Sequence, residues 1–303
     1  MRLVTFRRRA APEEETAIGA LSGDGVLDLG SVAGSMLDLL RAGDEGMEAA
    51  RRAVERGGPT VAEGDVELLA PLPRPNSIRD FMLIEEHVKN SFGEVPAAWY
   101  EIPVYWKGNP DTVIGPDATV PWPHYTAKLD FELEVGAVIG RRVWRATVEE
   151  AREAIAGYTV FNDWSARDIQ FREMEVSLGP GLGKDFASSL GPCLVTPDEF
   201  DITTARMAAR VNGETWAEGG LGSMLYTFPQ VIAHLSQEQP LLPGDVLGSG
   251  TVGRGCGLEL DRWIEPGDVV ELEVQGIGVL RNTVGERPSA IPAESIIQRS
   301  THA

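Results

Sequence analysis

The chain reads as an α+β protein, mainly β: a mixed β-roll or barrel-like domain preceded by a small N-terminal α+β domain. Three observations carry this. Strand-like runs far outnumber helix-like ones after residue 70. Strands and helices do not alternate regularly, which argues against a doubly wound parallel sheet. Pro-Gly-Asp precedes a strand-like run twice, at 243–245 and 266–268, which is turn chemistry and not a repeat.

The elements follow in order. "RLVTFRR" and "GDGVLDLG" read as short strands, and "SMLDLLRAGDEGMEAARRAVERG" has helical periodicity ending at glycine. "VELLAPLPRPNSIRD" is dense in proline and turn residues, so the spacing predicts domains over 1–68 and 69–303. Later strand candidates are "PVYWKG", "TVIG", "FELEVGAVIG", "GYTVFND", "PCLVTP", "ARMAARVNG", "DVLGSGTVG" and "DVVELEVQGIGVLRNTV". The helix candidates are "TVEEAREAIA", "SARDIQFREME" and "FPQVIAHLSQ".

With 43% apolar and 24% charged residues the composition is that of a globular protein. No run approaches a membrane span, and the charged N-terminus lacks the apolar core of a signal peptide, so a cytoplasmic location is expected. A formal net charge of −19 argues against nucleic acid and anionic membrane surfaces as partners. Two cysteines, Cys193 and Cys256, are too few for a zinc-finger type of site. Arginine is the default cation, and the chain keeps lysine only at 89, 107, 128 and 184. A retained lysine in such a chain is a candidate for a role needing a compact ammonium.

"LDFELEVGAVIG" places Glu132 and Glu134 on one face of a strand, with Phe131, Leu133, Val135, Ala137 and Ile139 on the other. Either that face meets water at a sheet edge, or a cation relieves the repulsion. In "GYTVFNDWSARDIQ" an apolar strand ends at Asp163, where functional groups often sit. The plainer alternative is helix capping by Asp163, or by Ser165 with Asp168. In "NSIRDFMLIEEHVKN" Asp80 and His87 are seven apart, so a helix would bring them to one side. "LGPGLGKDFA" is not a phosphate loop, because Asp185 follows the lysine; a glycine loop presenting Lys184 fits better. Glu132, Glu134, Asp163 and Asp80 together form an all-oxygen set suited to a hard cation such as Mg²⁺, Mn²⁺ or Ca²⁺.

"DFELEVGAVIG", "FNDWSARDIQ", "LGKDFASSLGP", "GSGTVGRGCGLEL" and "EPGDVVELEVQGIGVLRN", in that order, resemble the fumarylacetoacetate hydrolase family over roughly residues 70–290. The resemblance implies a mixed β-roll, a divalent metal, a homodimer and a small carboxylic acid substrate with a 1,3-dicarbonyl or 2-oxo group. It matches Glu132, Glu134 and Asp163 to the metal ligands, with Asp80 as a further carboxylate ligand. It matches His87 to the catalytic base and Glu259 to the acid that orients it. Arg167, Gln170 and Lys184 match groups facing the substrate and its oxyanion, Ser188 a hydroxyl near the metal, and Thr251 a substrate contact. Trp106 stands where a substrate-contacting tyrosine is expected, so the pocket is not expected to fit fumarylacetoacetate itself. Asn90, three after His87, follows the hydrolase branch and not the tautomerase and decarboxylase branch, which has Glu there. The implied activity is metal-dependent hydrolysis of a C–C bond, with isomerase, tautomerase, decarboxylase or lyase chemistry as alternatives. A non-catalytic metal-binding domain is the alternative from another class.

Overall fold

In the computed structural model, which describes residues 1–289 apart from positions 13 and 24, a single mixed sheet runs through most of the chain. The N-terminal stretch contributes β1 (Arg2–Arg8), β2 (Ala17–Ser22), β3 (Gly25–Asp28), helices α1 (Met36–Arg41) and α2 (Gly43–Arg56), β4 (Thr60–Ala62) and β5 (Val66–Leu69). There follow β6 (Ser77–Phe81), α3 (Glu85–Phe92), β7 (Tyr105–Gly108), β8 (Val113–Ile114), β9 (Thr119–Val120) and β10 (Leu129–Asp130). The central part holds β11 (Leu133–Ile139), α4 (Val148–Glu153), β12 (Ile155–Asp163), β13 (Ser165–Ala166), α5 (Arg167–Glu175) and β14 (Ser188–Val195). The last part holds β15 (Arg206–Val211), β16 (Glu214–Gly220), α6 (Phe228–Ser236), β17 (Asp245–Gly248), α7 (Gly257–Leu260), β18 (Val269–Val274) and β19 (Gly278–Val284).

The large sheet has the order β4-β3-β2-β1-β14-β12-β11-β17-β6-β7. Its register joins Leu3 to Leu194, so the strands before residue 68 continue the sheet of the later ones. A second sheet, β16-β15-β18-β19-β9, packs against one face through Met207, Ala209, Leu272 and Val274. On the other face α1 and α2 bring Met36, Leu39, Leu40 and Ala50 against Ile78, Val138, Phe161 and Val246. The architecture is α+β and mainly β, as the strand count predicts.

Every residue of β11 is buried, because the sheet is covered on both faces. That excludes the exposed edge strand left open by the sequence. Central strands buried on both faces read as continuous apolar runs, and β11 does so everywhere except at Glu134.

Several elements differ from the sequence reading. The run 35–57 is two helices, broken at Gly43 where φ is +60°. α4 begins with a Thr147–Glu150 capping box but ends at Glu153, and Ile155 already belongs to a buried strand. There the demand of the sheet for an apolar strand overrides local helix propensity. Residues 268–284 form a hairpin, β18–β19, and β16 is a strand the sequence reading did not single out. Gly244 and Gly267, the middle residues of the two Pro-Gly-Asp turns, have φ of +88° and +84°.

Candidate active site

Four neighbouring strands of the large sheet, β12, β11, β17 and β6, end at the same edge. β11 is antiparallel to β12 and β17, while β17 and β6 run parallel. The start of β11 therefore meets the ends of the other three. This places Glu134 and the preceding Glu132 beside Asp163 at the end of β12 and Asp80 near the end of β6. All four are buried, with Asp80 and Glu132 the most accessible at 4%. Oxygens of Asp80, Glu132 and Glu134 lie within 4.8 Å of one another.

Asp80 belongs to strand β6 and His87 to helix α3, so the single helix inferred from their spacing does not exist. The turn between the two elements brings both into one pocket. Asp163 does not cap α5, and neither do Ser165 and Asp168. The N-cap of α5 is Ala166 with no side-chain bond, Ser165 Oγ donates to the Asp163 carbonyl, and Asp168 accepts from Thr126 Oγ1 and the Ala127 N–H.

Two cations penetrate the acidic cluster. Lys184 Nζ lies 2.6 Å from Glu132 Oε2 and 2.5 Å from Asp163 Oδ2. Arg167 donates to Glu132 Oε1 and, through Nε, to Asp130 Oδ2, both at 2.8 Å. Arg167 Nη1 also donates to Gln170 Oε1 at 3.0 Å. Because arginine has only donors, the Gln170 oxygen is occupied and its amide NH₂ is the group left to offer. Trp106 Nε1 donates to Asp80 Oδ2 at 3.2 Å, and Thr251 Oγ1 lies 3.5 Å from Glu134 Oε1. The Gly250 N–H donates to Glu134 Oε2. Ser188 is buried on β14 directly opposite Asp163 in the sheet register.

The charges divide unevenly. Burial would raise the Glu132 carboxyl, but Lys184 and Arg167 outweigh it and hold the group below the usual carboxylate range. Burial pushes Glu134 well up, and the charges of Asp80 and Glu132 add to the shift. Asp163 is likewise raised by burial against the pull of Lys184, and Asp80 is raised by burial as well. Asp163 Oδ1 is buried without a hydrogen-bond partner.

The histidine sits beside this cluster. His87 Nδ1 is 2.7 Å from Glu259 Oε1, and Glu259 Oε2 accepts from Asn90 Nδ2 at 2.6 Å and from the Arg254 N–H at 2.8 Å. Burial would raise Glu259, but these hydrogen bonds, led by that of His87, hold it below the ordinary value. A carboxylate accepting from Nδ1 fixes the tautomer whose Nε2 lone pair is free.

Residues beyond those read from the sequence complete the frame. Asp130 accepts from Arg167 Nε and from the N–H groups of Gly257 and Leu258, tying α5 to the first turn of α7, which carries Glu259. Its place in D-x-E-x-E is the one sequence signal for it. Glu173 accepts from the Gly181 and Gly183 N–H groups and so shapes the glycine loop before Lys184. Gly248 leaves no free space for a side chain, since a Cβ would overlap Asp80 Oδ1 and the Phe161 ring unless one of them moved.

This fold and this buried carboxylate edge define a class, and comparison with known proteins places the chain in it. The profile for the fumarylacetoacetate (FAA) hydrolase C-terminal domain matches residues 77–285, so the chain belongs to the fumarylacetoacetate hydrolase family. It is 31% identical to the oxaloacetate tautomerase Fahd2a, mitochondrial, of Rattus norvegicus, over 94% of this chain and 91% of the relative. Among solved structures it is similar to 5-carboxymethyl-2-hydroxymuconate delta-isomerase from Mycobacterium smegmatis, with 27% identity, a TM-score of 0.70 and coverage of 95% of this chain and all of that one. The fumarylacetoacetate hydrolase of Exiguobacterium antarcticum matches with 26% identity and a TM-score of 0.74, over the same shares. No helix among the described residues is long and apolar enough to cross a membrane.

The residues present fit the divalent ion that this family implies. Asp80, Asp130, Glu132, Glu134 and Asp163 are buried against two cations, Arg167 and Lys184, leaving an excess of negative charge. An orphaned carboxylate oxygen on Asp163 and three mutually close carboxylates are what a hard cation satisfies.

Proposed function

We propose that the chain is a divalent-metal-dependent hydrolase of C–C bonds in small 1,3-dioxo acids. The observation that carries this reading is the His87–Glu259–Asn90 chain, set in the same pocket as the carboxylate cluster. Asp80, Glu132, Glu134 and Asp163 would hold the ion. When bound, it supplies Lewis-acid charge beside the substrate oxygens.

The protein groups do the rest. His87 Nε2 takes a proton from water as the water oxygen adds to the acyl carbonyl carbon. The Glu259 carboxylate stabilises the imidazolium that forms. The C–C bond then breaks, its electron pair passing to the 2-oxo acid fragment as an enolate, which the imidazolium proton neutralises. The products are one carboxylic acid and one 2-oxo acid, and water is the only co-reactant. Arg167, Lys184 and the Gln170 amide face the substrate carboxylate and the developing oxyanion.

A second reading, keto–enol tautomerisation of a 2-oxo acid, is favoured by the name of the rat relative. It would use His87 to move a proton between carbon and oxygen without water addition. Incubation of the Mn²⁺-loaded protein with acetylpyruvate, with product identification, separates the two. Chelator-sensitive release of acetate and pyruvate supports hydrolysis. Enol–keto exchange of 2-oxo acids without cleavage supports tautomerisation.

A further inference from the structure

The pocket changes character along its length. Its Arg and Lys side chains among the described residues are Arg167 and Lys184, both 2% exposed and both engaged with the carboxylate cluster. Towards solvent its wall is made of Met82, Phe92, Val104, Phe171, Met174 and Leu258. Phe92 and Phe171 are 42% and 38% exposed, so the apolar wall is the open end. The polar groups towards that end carry no charge. Ser91 contributes a buried Oγ with no hydrogen-bond partner.

We infer that the substrate carries a single carboxylate, at its 2-oxo end, and that its other end is an uncharged, largely apolar group lying on Phe92, Phe171 and Met174. This rests on the 2-oxo or 1,3-dioxo acid reading and narrows it. The physical reason is desolvation. A second carboxylate would be drawn from water against methionine and phenylalanine side chains, with no cation to compensate. An alkyl or aryl tail instead covers two exposed rings and gains the burial free energy of both surfaces. The neutral Ser91 hydroxyl suits a carbonyl or hydroxyl on that tail better than a charge.

The test is calorimetric binding to the Mn²⁺-loaded protein of a matched pair, 2-oxohexanoate and 2-oxoadipate, which differ only by a terminal carboxylate. The monocarboxylate is expected to bind at least about tenfold more tightly, the lower end of what burying an unpaired polar group costs. Phe171→Arg, at a half-exposed position where folding is not at stake, is expected to reduce or reverse the preference. Equal or tighter binding of 2-oxoadipate by the unaltered chain would overturn the inference while leaving the 2-oxo acid reading standing. Binding of Mn²⁺ but of neither acid would overturn both. An unchanged ratio in the arginine variant would remove Phe171 from the tail site.

Discussion

Glu259 Oε1 lies 2.7 Å from His87 Nδ1, although 172 residues separate them. The contact joins α3 to α7, and Asn90 on the same face of α3 donates to the other carboxylate oxygen. Glutamate thus reaches the histidine from a distant element, while the helical position three after His87 serves the glutamate.

That arrangement predicts a graded loss. His87→Ala should abolish turnover, and Glu259→Gln should lower kcat by about 100-fold or more, since a positioned acid–base group contributes about 10²–10⁴. Asn90→Ala should cost less. Mn²⁺ affinity should be unchanged in all three. Steady-state kinetics with parallel metal titration checks this, and full turnover by His87→Ala would reject the assignment.

The raised carboxyls give a pH signature. Glu134, Asp163 and Asp80 hold protons more tightly folded than unfolded. Without an ion, their contribution to stability is therefore largest in acid and declines as pH rises from the unfolded carboxylate value near 4. A divalent cation binds the deprotonated groups and offsets that loss. The stabilisation on adding Mn²⁺ should grow as pH rises above that value, reaching about 2.7 kcal/mol at a hundredfold excess over Kd, and thermal melts read it as a growing rise in Tm. A pH-independent rise, or none, would count against these groups as ligands.

Gly248→Ala should weaken metal binding selectively. The added methyl meets Asp80 Oδ1 and the Phe161 ring, and the flexible carboxylate is the partner that gives way. Asp80 then leaves the cluster while the strand pairing of β17 with β6 is kept. A Mn²⁺ titration showing at least a tenfold higher Kd, with circular dichroism unchanged, is the expected result. Unaltered affinity would show that Asp80 is not needed.

Asp130→Asn should damage stability and activity together. The neutral side chain leaves Arg167 buried against a weaker partner and loosens the first turn of α7, where Glu259 sits. Breaking a buried pair typically costs about 3–5 kcal/mol, so urea denaturation should register most of that. A variant as stable and as active as the parent would show that Asp130 does not hold the two elements in place.

The sequence by itself determined the residue types, the parity and the strand content of this protein. Two glutamates two apart in a strand must share a face, and a run as apolar as 135–139 must be buried somewhere. Those local facts follow from the two-residue period of a strand. They did not say whether the glutamate face met water or a packed interior, because that depends on what covers the sheet: α1 and α2 on one side, the second sheet on the other. Tertiary structure also decided that Asp80 stands on a strand and not on the helix of His87, and that α4 yields to β12 at Ile155. It decided that Glu259 meets His87 and that Asp130, marked in the sequence only by its place in D-x-E-x-E, joins α5 to α7. The last two are contacts between residues far apart in the chain, set by strand order and by the cost of burying unpaired charge. Periodicity cannot encode such a contact, and only the closed fold imposes it.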